Sequence, residues 1–280
     1  MKKKIWLSLC IIGMIFGNAQ VKTPQASAAS VQKTTVGLTD IEINYSRPSK
    51  KGRVIFGDVV PYDKIWRTGA NNNTTISFSD DVAIDGKQLK AGKYGLFTKP
   101  GKEVWEVYFY TENDNWGNQV KWDDNKVALK TTAKVEHIAN PVETFLISTG
   151  DLTYNTAQLN LLWDDVKISI EIKVPTEDKV MVSIEKTMKG NPTAKDYIAA
   201  ANYFYSTGKE AQKAMEWVDK GMAQLDNPPY YQIYAQAAIH QKAGDKATAI
   251  KLAKEVLSSA EKSGDDAYVR MAKQALEDWK

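Results

Sequence analysis

Between Tyr45 and Thr75 the chain reads YSRPSKKGRVIFGDVVPYDKIWRTGANNNTT, a stretch in which cations, a Trp-Arg-Thr-Gly turn and three successive asparagines interrupt a strand-like pattern. Arg47, Arg53 and Arg67 offer planar donor forks suited to a carboxylate or phosphate. Asn71, Asn72 and Asn73 can both donate and accept hydrogen bonds. Together these residue types could hold a small anionic ligand, a peptide terminus or a glycan. Pro48, Gly52, Gly57 and Pro61 lie in the same stretch, so its arginines could equally tie a long connection down to backbone carbonyls. Trp116 and Trp122 flank a polar loop and are the preferred aromatic contacts for a sugar face or a partner. Trp105 and Trp163 sit in alternating patterns and are expected in the core.

Support for catalysis is thin. His137 and His240 fall in different expected domains, and neither has a second histidine or a carboxylate at metal-ligand spacing. His240 reads as a surface or packing residue of a helix. Asp80-Asp81, Asp123-Asp124 and Asp164-Asp165 are adjacent pairs expected at strand ends or turns. Strand neighbours point to opposite faces, so such pairs do not converge unless a loop bends them around Ca²⁺. Ser46 and Ser49 lack a nucleophile elbow, and there is no P-loop or dinucleotide fingerprint. No catalytic residue, cofactor or metal is therefore assigned.

The N-terminus bears on which residues remain in the exported chain. Lys2 to Lys4 precede an apolar run from Ile5 to Phe16, with small residues at Gly17 and Ala19, the pattern of a secretory signal peptide over residues 1–19. That run is shorter than the ~20 residues a membrane-spanning helix needs, and no later stretch is as apolar for that length. Cys10 is the sole cysteine, preceded by Leu9 rather than a small residue, which argues against a lipid anchor. Cleavage would leave no cysteine, excluding disulfides and thiolate chemistry. It would also remove three of the 37 basic residues, leaving 34 against 34 acidic ones, a balance that does not suit a nucleic-acid-binding surface. The protein is expected in the periplasm or outside the cell.

Residues 20–29 read as a flexible segment, 30–174 as an antiparallel β-sandwich or barrel-like domain, and 175–280 as an α-helical domain. In the first part, short runs such as Ile41 to Tyr45, Ala157 to Trp163 and Val166 to Val174 alternate with period two. Asp85-Gly86 and Pro100-Gly101 mark hairpins between neighbouring runs. After Pro175 a helical period takes over, with Met215, Val218, Met222 and Leu225 on one stripe. Gly208 and Gly244 punctuate two similar helix pairs near the ~34-residue tetratricopeptide period, so five or six helices in a tetratricopeptide-like array are expected, with an unrelated bundle as the alternative. A groove on that array, lined by Tyr197, Tyr230, Tyr231 and Tyr234, is the expected surface for a peptide or protein partner.

The segments YSRPSKKGRVIFG, VVPYDKIWRTGAN, TTISFSDDVAIDGKQLKAGKYGLFTKPG, EVWEVYFY, NWG and LLWDDVKISIEI closely resemble the bacterial family called domain of unknown function 2911. The resemblance covers about Ser30 to Val174. It implies an exported protein of a family without an established activity. The family commonly carries glutamate after the first asparagine of the Trp-Arg-Thr-Gly-Ala-Asn motif, where this chain has Asn72. Three functions follow as expectations. The favoured one is an exported, non-catalytic binding or scaffold protein of the cell envelope. The others are a hydrolase of envelope or dietary polymers and a structural accessory module.

Overall fold

The computed structural model describes residues 23–117 and 121–280, so the expected leader lies outside the described residues. The chain divides into two compact units, one ending at Thr176 and the other running from Glu177 to Lys280.

The first unit contains β1 (Ala28–Val36), β2 (Thr39–Arg47), β3 (Thr75–Phe78), β4 (Val82–Ile84), β5 (Lys87–Leu89), β6 (Gly92–Lys99), β7 (Val104–Tyr110), β8 (Val127–Lys134), β9 (Glu136–Gly150) and β10 (Thr156–Lys173). They form a six-stranded sheet in the order β1-β2-β3-β6-β7-β8 and a four-stranded sheet in the order β5-β4-β10-β9. All pairings are antiparallel. The sheets remain two layers and do not close into a barrel. Their inner faces share one core, to which Ile41, Ile43, Ile76, Leu96 and Phe109 come from one sheet and Phe145, Ile147, Leu159 and Ile170 from the other. β1 starts at Ala28, so the last two residues of the segment expected to be flexible belong to a strand.

The turn chemistry matches the sequence closely at β4–β5, where Asp85 and Gly86 both adopt positive φ, +46° and +79°. β10 differs from expectation. The runs 157–163 and 166–174 are not separate strands, because Asp164-Asp165 lies inside one strand of 18 residues. Burial falls on odd positions up to Trp163 and on even positions from Val166. Pairing with β9 shifts on both sides of Asp164, whose φ is +55°. This bulge, whose surplus residues lie opposite in β9 between His137 and Leu146, swaps the faces of β10 while the strand continues.

The second unit is built from α1 (Thr176–Met188), α2 (Ala194–Thr207), α3 (Ala211–Met222), α4 (Tyr230–Ala243), α5 (Lys246–Ser263) and α6 (Asp266–Asp278). The helices from α2 onward pack successively, and α2 also touches α4. Gly208, Gly244 and Gly264 end α2, α4 and α5 in the left-handed conformation that favours glycine. Close approach has its own requirement at Gly221 of α3, where an added Cβ would sit 2.7 Å from Ile198 Cγ1. His240 is not a surface residue. It is 4% exposed, with Nε2 2.8 Å from Asp219 Oδ1 and Nδ1 3.0 Å from Asp245 Oδ2. These carboxylates belong to α3 and to the N-cap of α5, so one imidazole links three helices.

Two stability outcomes follow from these contacts. At Gly37, in the β1–β2 turn, φ is +56° and a Cβ would fall 1.8 Å from Thr176 Oγ1 and 2.3 Å from the Tyr154 carbonyl oxygen. Gly37→Ala should therefore cost about 3 kcal/mol or more, adding overpacking to backbone strain. Urea unfolding checks it, and an unchanged midpoint would mean that the turn yields freely. His240→Ala removes a buried imidazole that contacts two carboxylates and should cost about 2 kcal/mol, read from the urea midpoint of the helical signal in far-ultraviolet circular dichroism.

Candidate functional site

The connection between β2 and β3 carries the residues singled out above, and Trp66 determines where they go. The Trp66 N–H donates to the Thr98 carbonyl at 2.7 Å, and the Thr98 N–H donates back at 2.9 Å. This pins the connection to β6. The indole is 7% exposed, stacks with Trp163 at a centroid distance of 6.0 Å, meets Phe145 edge-on at 5.1 Å and donates from Nε1 to the Gly69 carbonyl at 3.1 Å. Thr68 and Asn71 then take positive φ, +56° and +58°, which turns the chain sharply past the core. Gly69 fits the close approach here, since a Cβ would meet the Ser46 carbonyl oxygen at 2.9 Å.

Two clefts flank this turn. The first, of about 770 Å³, is lined by Lys51, Arg53, Lys64 and Arg67, with Trp66 and Trp163 as aromatic wall. Among the described residues, its lining includes no carboxylate and no imidazole. Arg67 is half-buried, and that burial pushes its guanidinium below the usual arginine range. Arg53 also fastens its own loop, with Nε donating to the Lys50 carbonyl at 3.0 Å and Nη2 to the Ser49 carbonyl at 2.6 Å. Arg47 donates from Nε to the Phe145 carbonyl at 3.0 Å and is absent from the lining of either cleft. The loop-fastening reading thus describes Arg47 and half describes Arg53.

The second cleft, of about 650 Å³, collects Asn71, Asn72, Asn73 and Trp116 beside Asn44 and Asn113. The Asn71 amide stands between the two clefts. Its Nδ2 lies 2.9 Å from Gln25 Oε1, 3.2 Å from Ser46 Oγ and 3.3 Å from the Ser27 carbonyl. Ser27 lines the first cleft, whereas Gln25 and Ser46 line the second. Asn72 is exposed and bridges the backbone of Trp116.

The two loop tryptophans part company. Trp116 is 71% exposed. Trp122 instead stacks on Tyr110 at 4.6 Å, meets Phe97 edge-on at 5.6 Å and donates from Nε1 to Asp124 Oδ1 at 2.8 Å. Outward aromatics of β6 and β7 provide the surface it covers, so its place is structural. Lys51, Lys64, Asn44 and Asn113 line the two clefts, and sequence reasoning did not single them out. The lysines lay in the same cationic run, whereas the strand and loop asparagines carry no local signal of convergence.

Elsewhere, His137 Nδ1 pairs with Asp165 Oδ2 at 2.8 Å between β9 and β10 and is absent from both linings. Among the described residues, no three His, Cys, Asp or Glu side chains converge to hold a metal ion. On the helices, Tyr197 packs where α2 crosses α3, its Cβ 3.1 Å from a Cβ built on Gly221. Tyr230 donates to Asp265 Oδ2 at 2.9 Å and contacts Tyr268, which also packs on Tyr234. Tyr231 is half-exposed. The four tyrosines therefore divide between α2 and α4, and all four make internal contacts, Tyr231 by meeting the Tyr230 ring edge-on at 6.2 Å.

The profile of a family described as a protein of unknown function, DUF2911, matches residues 27–172. The chain belongs to that family. No curated protein and no solved structure matches the chain.

The most perturbed carboxylate of the β-unit is Glu106, on the outer face of β7. Lys130 Nζ at 2.5 Å, Tyr108 Oη at 2.6 Å and Lys99 Nζ at 3.4 Å surround it. The Lys130 ammonium first, then the Tyr108 hydroxyl, hold its pKa down at about 2, below the ordinary 4.5. The charged form is favoured in the folded chain. Its stabilisation is complete above about pH 4.5 and fades as pH falls towards 2. The melting-temperature difference between the wild type and Glu106→Gln should therefore be present at neutral pH and close across that acid window. A difference independent of pH would assign the effect to packing.

Proposed function

We propose that this family member is an exported, non-catalytic binding protein whose β-unit takes a small carboxylate- or phosphate-bearing ligand in the cationic cleft. The observation that carries the reading is the cleft lining, in which Lys51, Arg53, Lys64 and Arg67 meet with no acidic side chain among them. Four positive residues lining one concavity raise the local concentration of anions and reward an anion that enters. The guanidiniums add directional, paired donors, and Trp66 and Trp163 supply apolar surface for the rest of the ligand. Export rests on the leader-like residues 1–19, and a place in the periplasm or outside the cell rests on the same segment.

Hydrolysis is less well supported at this cleft. A hydrolase would need a carboxylate or imidazole beside Arg67 to move a proton, and neither type lines it.

The helical unit is proposed as a tetratricopeptide-like array that presents a surface to a peptide or protein. The left-handed glycines that end α2 and α4, similarly placed in the two helix pairs, together with the α2–α4 contact, support repeated stacking. On that surface Tyr231 is the tyrosine most open to a partner.

A thermal-shift screen against phosphate, citrate and acidic dipeptides tests the cleft. A ligand at a hundred times its Kd stabilises the folded state by about 2.7 kcal/mol, so a shift of several degrees is expected for the right anion. Arg67→Ala and Lys64→Ala should each weaken that shift. An anion shift that survives both substitutions would overturn the reading.

A further inference from the structure

The second cleft has a different chemistry from the first. Its floor is the outer face of β1, β2 and β3, where Val31, Asn44 and Thr75 form one cross-strand row and Ala29 and Ser46 the next. One wall is the asparagine run, and the other carries Asn113, Asp114 and Trp116. Its charged lining residues are Glu42, Asp114 and Lys93, so no concentration of positive charge selects an anion here.

Trp116 is the least covered large apolar side chain of the described residues, yet its backbone is held firmly. It bridges Asn72, the following Gly117 N–H donates to the Asn71 carbonyl at 3.0 Å, and the Asn73 N–H donates to the Asn115 carbonyl at 3.0 Å. An exposed indole on a hydrogen-bonded backbone, beside a group of amides, offers a flat apolar face next to groups that both donate and accept. A sugar ring has the matching character, with C–H bonds on one face and hydroxyls around the rim. Glu42 is prepared as an acceptor, because the Asn44 amide donates to it at 2.8 Å and, with Lys33, keeps it below the usual carboxylate range. Asn73, 4% exposed in the wall, has an Oδ1 that accepts no hydrogen bond among the described residues.

We infer that this cleft is a saccharide site in which Trp116 stacks against a neutral sugar ring and Asn44, Asn72, Asn113 and Glu42 hold its hydroxyls. Among the floor strands β2 and β3 are paired on both sides, so only β1, the outer strand of the sheet, has an edge that a peptide backbone could join.

Isothermal titration of the purified protein with cellohexaose, xylohexaose, maltohexaose and chitohexaose tests this inference. Binding of at least one hexasaccharide is expected. Trp116→Ala should weaken it about tenfold, whereas Trp116→Phe, which keeps an aromatic face, should remain within about threefold. Asn44→Ala should also weaken it. Arg67→Ala should leave it unchanged, which separates this site from the cationic cleft, so either site can fail without the other. Trp116→Ala should also melt with the wild type, because its ring is mostly in solvent. No binding to any of the four sugars, or binding that survives Trp116→Ala, would overturn the inference.

Discussion

Insertion of Trp66 into the sandwich core is the interaction on which the placement of the β-unit's two clefts depends. The connection between β2 and β3 is long, and long connections ordinarily run over a surface. Here the paired hydrogen bonds to Thr98 and the indole's contacts with Phe145 and Trp163 turn one point of it into part of the core. Everything on either side is then constrained. The residue after Trp66 emerges half-buried at the mouth of the cationic cleft, and the asparagines emerge on the other side of the turn. Trp66 and Trp163 also form the first cleft's aromatic wall, so the same rings serve core and site.

The bulge at Asp164-Asp165 is a second constraint on the same region. Reversing the buried parity within β10 lets one strand contribute both Trp163 and Ile168 to the core despite their odd and even positions. It also points two neighbouring carboxylates at different partners, Lys50 for Asp164 and His137 for Asp165. Lys50 lies in the β2–β3 connection, so this ion pair is one more tie between the connection and the four-stranded sheet. It is short, at 2.6 Å, with both side chains at most about a third exposed, conditions under which a salt bridge fixes position better than an open surface pair.

Much of the architecture could be read from local rules. The hairpin at Asp85-Gly86 and the helix ends at Gly208, Gly244 and Gly264 depend on backbone conformations that residue type nearly decides. Strand alternation and the stripe containing Val218 and Met222 follow from burial on one face. What could not be read depends on residues distant in sequence. Trp116 and Trp122 have similar local surroundings, and only the aromatics of β6 and β7 decide which one is covered. His240 gives no sign of burial in its own helix, because one of its carboxylate partners comes from α3 and the other from the start of α5. The Arg/Asn cluster read as one site becomes two for the same reason, since the turn that separates its members is set by a core contact.

The segment ahead of β1 has a meaning that its place at the edge of the fold conceals. Ala26 and Ser27 line one cleft and Gln25 the other, while β1 itself starts at Ala28. A polypeptide beginning at Ala28 would keep all ten strands and yet lack part of the boundary of both cavities. The few residues directly upstream of the first strand thus bound both clefts without belonging to either sheet.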